Sequence, residues 1–302
     1  MPKKLDSKLK TALDETRLLF LGGQVLLGFQ FQAFFQDGFS TLSSLATYLS
    51  LAGLALMVIS ITLLVAPVMQ HRLVDGGNAS KRLLRTTTVF AAASLSPLGL
   101  SLALATYVVI GRRYGTAAGV MSGLVMGGTC ALFWFVIETL IGCSEGDLEM
   151  NEGPTPLSTK VEQLLTEARV IIPGGQALFG FQFIAMLTKG FDQLPAGSQL
   201  IHTAALCLIA MNVIVLMTPA ALHRLSFGGE DSEAFLRLGS ALVIAAPMLL
   251  ALGIAAELYV VFEKVVENVV LAAAASCVGW LVMTVFWYIL PWRLKRIHHP
   301  GG

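Results

Sequence analysis

Glu15-Thr-Arg17 and His71-Arg72 bracket one stretch of the chain, and Glu167-Ala-Arg169 and His223-Arg224 bracket another, each 152 positions later. A carboxylate, guanidinium groups and an imidazole can pair with one another, or hold an anionic headgroup or solute. Of the carboxamides between these ends, Gln24 and Gln30 are matched by Gln176 and Gln182. Glu138 and Glu257 sit inside apolar runs and have no match in the other stretch. A carboxylate in such a run is a candidate functional group because its charged form is costly there, although both lie near the ends of their runs, where snorkelling lowers that cost. His202 and Asn212 are likewise unmatched and read as local hydrogen-bonding residues. Bond-making chemistry has no visible apparatus: the chain holds no nucleophile elbow, HExxH, phosphate-binding loop or dinucleotide fingerprint. Cys130, Cys143, Cys207 and Cys277 are isolated, so neither a metal nor a disulfide pattern is present. His71 and His223 each adjoin an arginine, with no deeper histidine pair, which argues against axial ligation of a haem. The expectation is a protein without enzymatic activity, cofactor or metal.

The spacing of Arg17, Leu21, Gln24, Gly28 and Phe31 places them on one helical face, as it does Arg169, Pro173, Gln176, Gly180 and Phe183. Gly23, Leu27, Gln30 and Phe34 form the adjoining strip. A face with small residues and a retained amide suits close helix packing, because glycine lets backbones approach and an amide bonds across helices. The other reading is that Gln24, Gln30, Gln176 and Gln182 line a hydrated path. Pro67-Val-Met-Gln-His71-Arg72-Leu73 and its counterpart Pro219-Ala-Ala-Leu-His223-Arg224-Leu225 end helices, where His and Arg complement the helix dipole and snorkel to headgroups. With Arg17 and Arg169 they form a candidate anion or lipid site at one membrane boundary.

The elements that must position these groups are membrane helices in tandem duplicate. Glu15–Leu73 and Glu167–Leu225 align without a gap and share 22 of 59 residues, more than common apolar composition produces. Hydrophobic residues are 55% of the chain and charged ones 13%, with a mean hydropathy of +0.74, far from the balance of a water-soluble domain. A net charge of +1 offers no basic footprint for nucleic acid. A span needs about 20 apolar residues, and eight runs qualify: Leu18–Phe35, Leu45–Met69, Thr88–Ile110, Ala117–Ile141, Val170–Leu187, Leu200–Leu222, Leu238–Phe262 and Val266–Leu290. The charged lead before the first run lacks a cleavage site, so that run is expected to stay in the protein. Residues 1–143 form the first four-helix unit, 144–162 an acidic linker, and 163–302 the second unit.

With both termini cytoplasmic, sixteen of the twenty Lys and Arg residues lie inside, leaving Arg112, Arg113, Lys189 and Lys264 outside. An even number of spans per repeat gives both halves the same polarity, so their pseudo-twofold axis runs along the membrane normal. The expected fold is an all-α polytopic membrane protein of two parallel four-helix repeats. The seam between them is either a path or a packed joint.

The run Glu-x-Arg, then Gly-x-Gln-x-Leu-x-x-Phe-Gln-Phe, then Pro-x-x-x-His-Arg-Leu resembles an uncharacterised family of short bacterial four-span membrane proteins. Arg17, Gln24, Phe29, Pro67, His71 and Arg72 carry the resemblance in the first half, and Arg169, Gln176, Phe181, Pro219, His223 and Arg224 in the second. Members are sometimes labelled sodium:proton antiporters, so the resemblance implies transport and a bacterial cytoplasmic membrane. The expected function is a small-ion or small-solute transporter or channel-like protein. The alternative is a non-transporting scaffold or accessory subunit. Expected partners are membrane lipids, with other membrane subunits or further copies of the chain.

Overall fold

The computed structural model describes residues 3–76, 78, 80–136, 156–225 and 231–298, and within them the chain is helical with no strand. The first half contributes α1 (Lys3–Ala33), α2 (Ser44–Leu73), α3 (Lys81–Tyr114) and α4 (Thr116–Ala131), the last continuing into a π turn, Leu132–Val136. The second contributes α5 (Leu157–Ala185), α6 (Ala196–Leu225), α7 (Glu233–Val266) and α8 (Val269–Thr284), which runs through a π turn, Val285–Ile289, into α9 (Leu290–His298). Local chemistry sets several starts. Ser43, Ser80 and Ser232 accept a hydrogen bond from the backbone N–H three residues on, and Asn268 caps α8 in the same way. Gly115, at φ 92°, makes the tight turn between α3 and α4 that a side chain would strain. Helix α5 opens at Leu157, inside the stretch expected to be linker, while Glu138 and most of that linker lie outside the described residues.

Among the described residues, six helices are long and apolar enough to cross a membrane: α2, α3, α4 with its π turn, α6, α7, and α8 with α9. Eight were expected. The two that fall short are α1 and α5, whose apolar runs are diluted by Gln24, Gln30, Gln32, Gln176 and Gln182 and by charged leads. Their position explains how such helices are accommodated. Helix α1 packs on α5, and the pair is flanked by α2 and α3 on one side and by α6 and α7 on the other. Polar residues are thereby shielded by neighbours that are more apolar, as polar groups in lipid require. Helices α4 and α8 form the rim, where Leu124, Val125, Val270 and Val278 are exposed.

One apolar core runs through both halves, joining Phe20, Leu27, Met57 and Ile61 to Leu164, Ile171, Leu178 and Leu250. The seam is dry. Phe29 and Phe181 stack with ring centroids 4.3 Å apart, and the Phe181 ring lies where a side chain on Gly28 would have to go. Trp287 crosses to the other half, burying its ring and donating from Nε1 to the Thr62 carbonyl at 2.8 Å.

Candidate functional site

At one end of the α1–α5 pair, the last turn of α2 meets the first half of α5. His71, Arg72 and Glu167 are all buried. His71 Nδ1 lies 2.5 Å from Glu167 Oε1, Arg72 Nε donates to Glu167 Oε2, and Arg72 Nη1 reaches Ser240 of α7 at 3.4 Å. Glu167 lies outside the apolar run of its helix. Burial pushes its carboxyl up, but Arg72 and His71 outweigh that and hold it below the ordinary carboxylate range. Since this carboxylate only accepts, His71 Nδ1 is the donor. Arg72 Nη2 and His71 Nε2 are buried with no partner among the described residues.

About 10 Å further along α5, at 1.5 Å per residue, Pro173-Gly174-Gly175 lies within the continuous helix. Gln24 of α1 fits against Gly174 so closely that a methyl group there would overlap it, and Asn212 of α6 approaches Gly175, with Nδ2 3.0 Å from where a Cβ would stand. Both amides are fully buried. None of their four polar atoms has a partner among the described residues, a costly arrangement in a medium without water.

About two turns further along, Gln182 lies on the same buried side of α5. Its backbone carbonyl lies 3.0 Å from His202 Nε2, and His202 Nδ1 lies 2.8 Å from Glu257 Oε1. The imidazole and the carboxylate are both fully buried, with Phe35 and Phe191 set edgewise on the ring. Because a carbonyl can only accept, Nε2 carries a hydrogen. Nδ1 and the Glu257 carboxylate then face each other at ion-pair distance inside the bundle.

Glu167, Gly174, Leu178 and Gln182 recur at spacings of seven, four and four on one face of α5. Three polar stations therefore stand along about 22 Å of a single helix, separated by buried Ile171, Leu178, Ile209 and Leu216. The four repeated glutamines are not brought to one path. Gln24 and Gln182 are buried in different stations, Gln30 donates to Ser101 Oγ at 2.7 Å, and Gln176 is exposed. Arg17 is half-buried, Arg169 is exposed, and the Arg224 side chain lies outside the described residues. Glu257 is fully buried, and α7 continues nine residues beyond it to Val266. His202, Asn212 and Ser240 belong to the stations although their local sequence signalled nothing more than a polar residue in an apolar helix.

Residues 2–138 and 156–291 each match the family described as "Family of unknown function (DUF6328)". The chain belongs to that family. It carries two copies of the DUF6328 unit in tandem, and the family's description names no activity, so the antiport implied by resemblance gains nothing from the match. No curated protein and no solved structure matches the chain.

The two DUF6328 units are alike in helix order but unlike in what they hold. Reciprocal packing would set Gln176 against Gly22 as Gln24 sets against Gly174, yet Gly22 has open space around it and Gln176 is exposed. Glu15, the counterpart of Glu167, is exposed. His223 is directed instead to Asp231, at 3.5 Å. All three stations thus form on the second unit's first helix.

Proposed function

We propose that the chain is a membrane transporter for a small ion, most simply a proton, and that the ion follows α5 rather than the symmetric seam. The observation that carries this reading is the column of buried polar stations with a titratable group at each end and unpartnered amides between. Buried ionisable groups in membrane helices mark ion pathways and proton relays, because nothing else offsets their desolvation. In this reading all eight long helices cross the membrane, including α1 and α5, with the halves parallel about an axis along the membrane normal. Both termini face the cytoplasm of a bacterial cell, and no catalysis or cofactor is involved.

The chain's own groups divide the work. The His202–Glu257 pair accepts or releases a proton at one end, changing its net charge by one unit. Gln24 and Asn212 offer donors and acceptors at mid-depth. Glu167, clamped by Arg72 and His71, closes the other end. Apolar Ile171 and Leu178 separate the stations, so passage requires α5 to move. Pro173-Gly174-Gly175 supplies the hinge, since proline and adjacent glycines are where helices bend.

Protein reconstituted in liposomes with an internal pH dye, under a potassium diffusion potential, tests this. Wild type is expected to acidify or alkalinise the lumen with the sign of the potential, and Glu257→Gln to reduce the rate toward that of empty vesicles while remaining folded, since intramembrane ionisable residues carry such relays. Wild-type vesicles no leakier than empty ones to protons, sodium and potassium would refute the reading. The apolar core shared by the two halves favours the second reading, a non-transporting scaffold, and that outcome would leave it standing.

A further inference from the structure

The first repeat contains a partly open cavity of about 240 Å3, lined among others by Gln30, Ser50, Gly53, Ala105, Val109 and Arg112. Shifted by the repeat interval, Ser50 is His202, Ala105 is Glu257, Gln30 is Gln182 and Arg112 is Lys264. The cavity is therefore the first repeat's counterpart of the His202–Glu257 station, with a hydroxymethyl and a methyl where the second repeat has an imidazole and a carboxylate. Smaller side chains leave the space open. The cation has been kept: Arg112 Nε donates to Thr41 Oγ1 at 3.2 Å and the guanidinium packs on Gly38, while Lys264 donates to the Gly190 carbonyl at the matching turn.

We infer that this cavity binds an anionic phospholipid, one acyl chain in the apolar slot and the phosphate on Arg112. The walls are predominantly apolar, and an apolar cavity of about 150 Å3 already holds a benzene-sized group, so this one takes a longer stretch of hydrocarbon. Arg112 is exposed at the end of α3, at the boundary where headgroups lie. Its Nε is committed to Thr41, which leaves both terminal nitrogens for a phosphate in the planar geometry that guanidinium recognises. No carboxylate lines the cavity to compete for it. The inference needs α3 in a bilayer but not ion conduction, so its outcome and that of the flux measurement are separable.

The test is native mass spectrometry of the delipidated full chain titrated with phosphatidylglycerol or phosphatidylcholine. Wild type is expected to retain one phosphatidylglycerol with a preference of about fivefold, the effect of one basic residue at a membrane surface. Arg112→Gln should lose the preference while still binding lipid, and the filling variants Ala105→Leu and Ser50→Leu should lose the bound lipid. Arg113→Gln, whose side chain does not line the cavity, should behave as wild type. Equal retention of both lipids by wild type would overturn the inference, as would equal loss in Arg113→Gln and Arg112→Gln, or undiminished lipid in both filling variants. Displacement of phosphatidylglycerol by inorganic phosphate alone would assign the site to a soluble anion instead and equally overturn it.

Discussion

Glu15 and Glu167 are the same residue of the same motif, yet one is exposed and the other is enclosed by Arg72 and His71. Removing one partner of a buried ion pair strands the others, so Glu167→Gln should lower stability in detergent by about 3 kcal/mol, whereas Glu15→Gln should stay within about 0.5 kcal/mol, as surface changes do. Chemical or thermal unfolding of the two variants in one detergent decides this. Equal losses would mean that the clamp is not formed. The same carboxylate sets a pH dependence. Its folded pKa is below its unfolded one, so its contribution is fully present above the unfolded carboxylate pKa near 4.5 and is lost as the pH falls through that value toward the folded pKa. Between pH 7 and pH 4 the wild-type melting temperature should therefore drop further than that of Glu167→Gln. The motif made both glutamates candidates from the sequence. Choosing between them required knowing which copy of the His-Arg pair each one meets.

At the scale of elements, the same asymmetry runs down the α1–α5 contact. A side chain at 174 overlaps Gln24, while one at 22 meets open space. Gly174→Ala is expected to cost about 1–3 kcal/mol, the usual penalty for overpacking. Gly22→Ala should be neutral or stabilising by up to about 1 kcal/mol, the helix preference of alanine over glycine. Thermal melts of the two variants measure the difference, and a symmetric result would rule out this packing of α1 on α5. Of the glutamines that make α1 and α5 poor spans by composition, Gln24 and Gln182 are buried and Gln30 donates to Ser101, while Gln176 is exposed. Hydropathy ranks a helix by its own side chains, so it cannot register shelter supplied by α2, α3, α6 and α7.

For the whole molecule, the even helix count per repeat and the skew of basic residues lead to one expected topology. Single-cysteine labelling from either side of the membrane should find residue 78 and the 144–160 stretch on one face and residue 113 on the other. Labelling of residues 78 and 113 from the same side would break the parallel-repeat arrangement. The halves share one core, and Trp287 anchors the end of the second half to α2 of the first. Duplicated chains need not keep duplicated contacts: once fused, each copy mutates separately, and a two-fold joint can slide to a lopsided one that buries more.

Duplication, helical class and membrane character were all legible in the chain because each depends on local composition or on self-similarity at a fixed interval. The repeated Glu, Gln, His and Arg positions were legible as candidates for the same reason. Their division into buried stations and exposed remnants was not, since Gln24 and Gln176 share the Gly-Gly-Gln-x-Leu motif and differ in what lies against them. His202 and Glu257 are separated by more than fifty residues and have no repeat counterparts, so nothing local couples them. They become one site because α6 and α7 pack side by side beneath Gln182. A buried charge is determined by what surrounds it in three dimensions, and that is the part of this protein that only the tertiary structure decided.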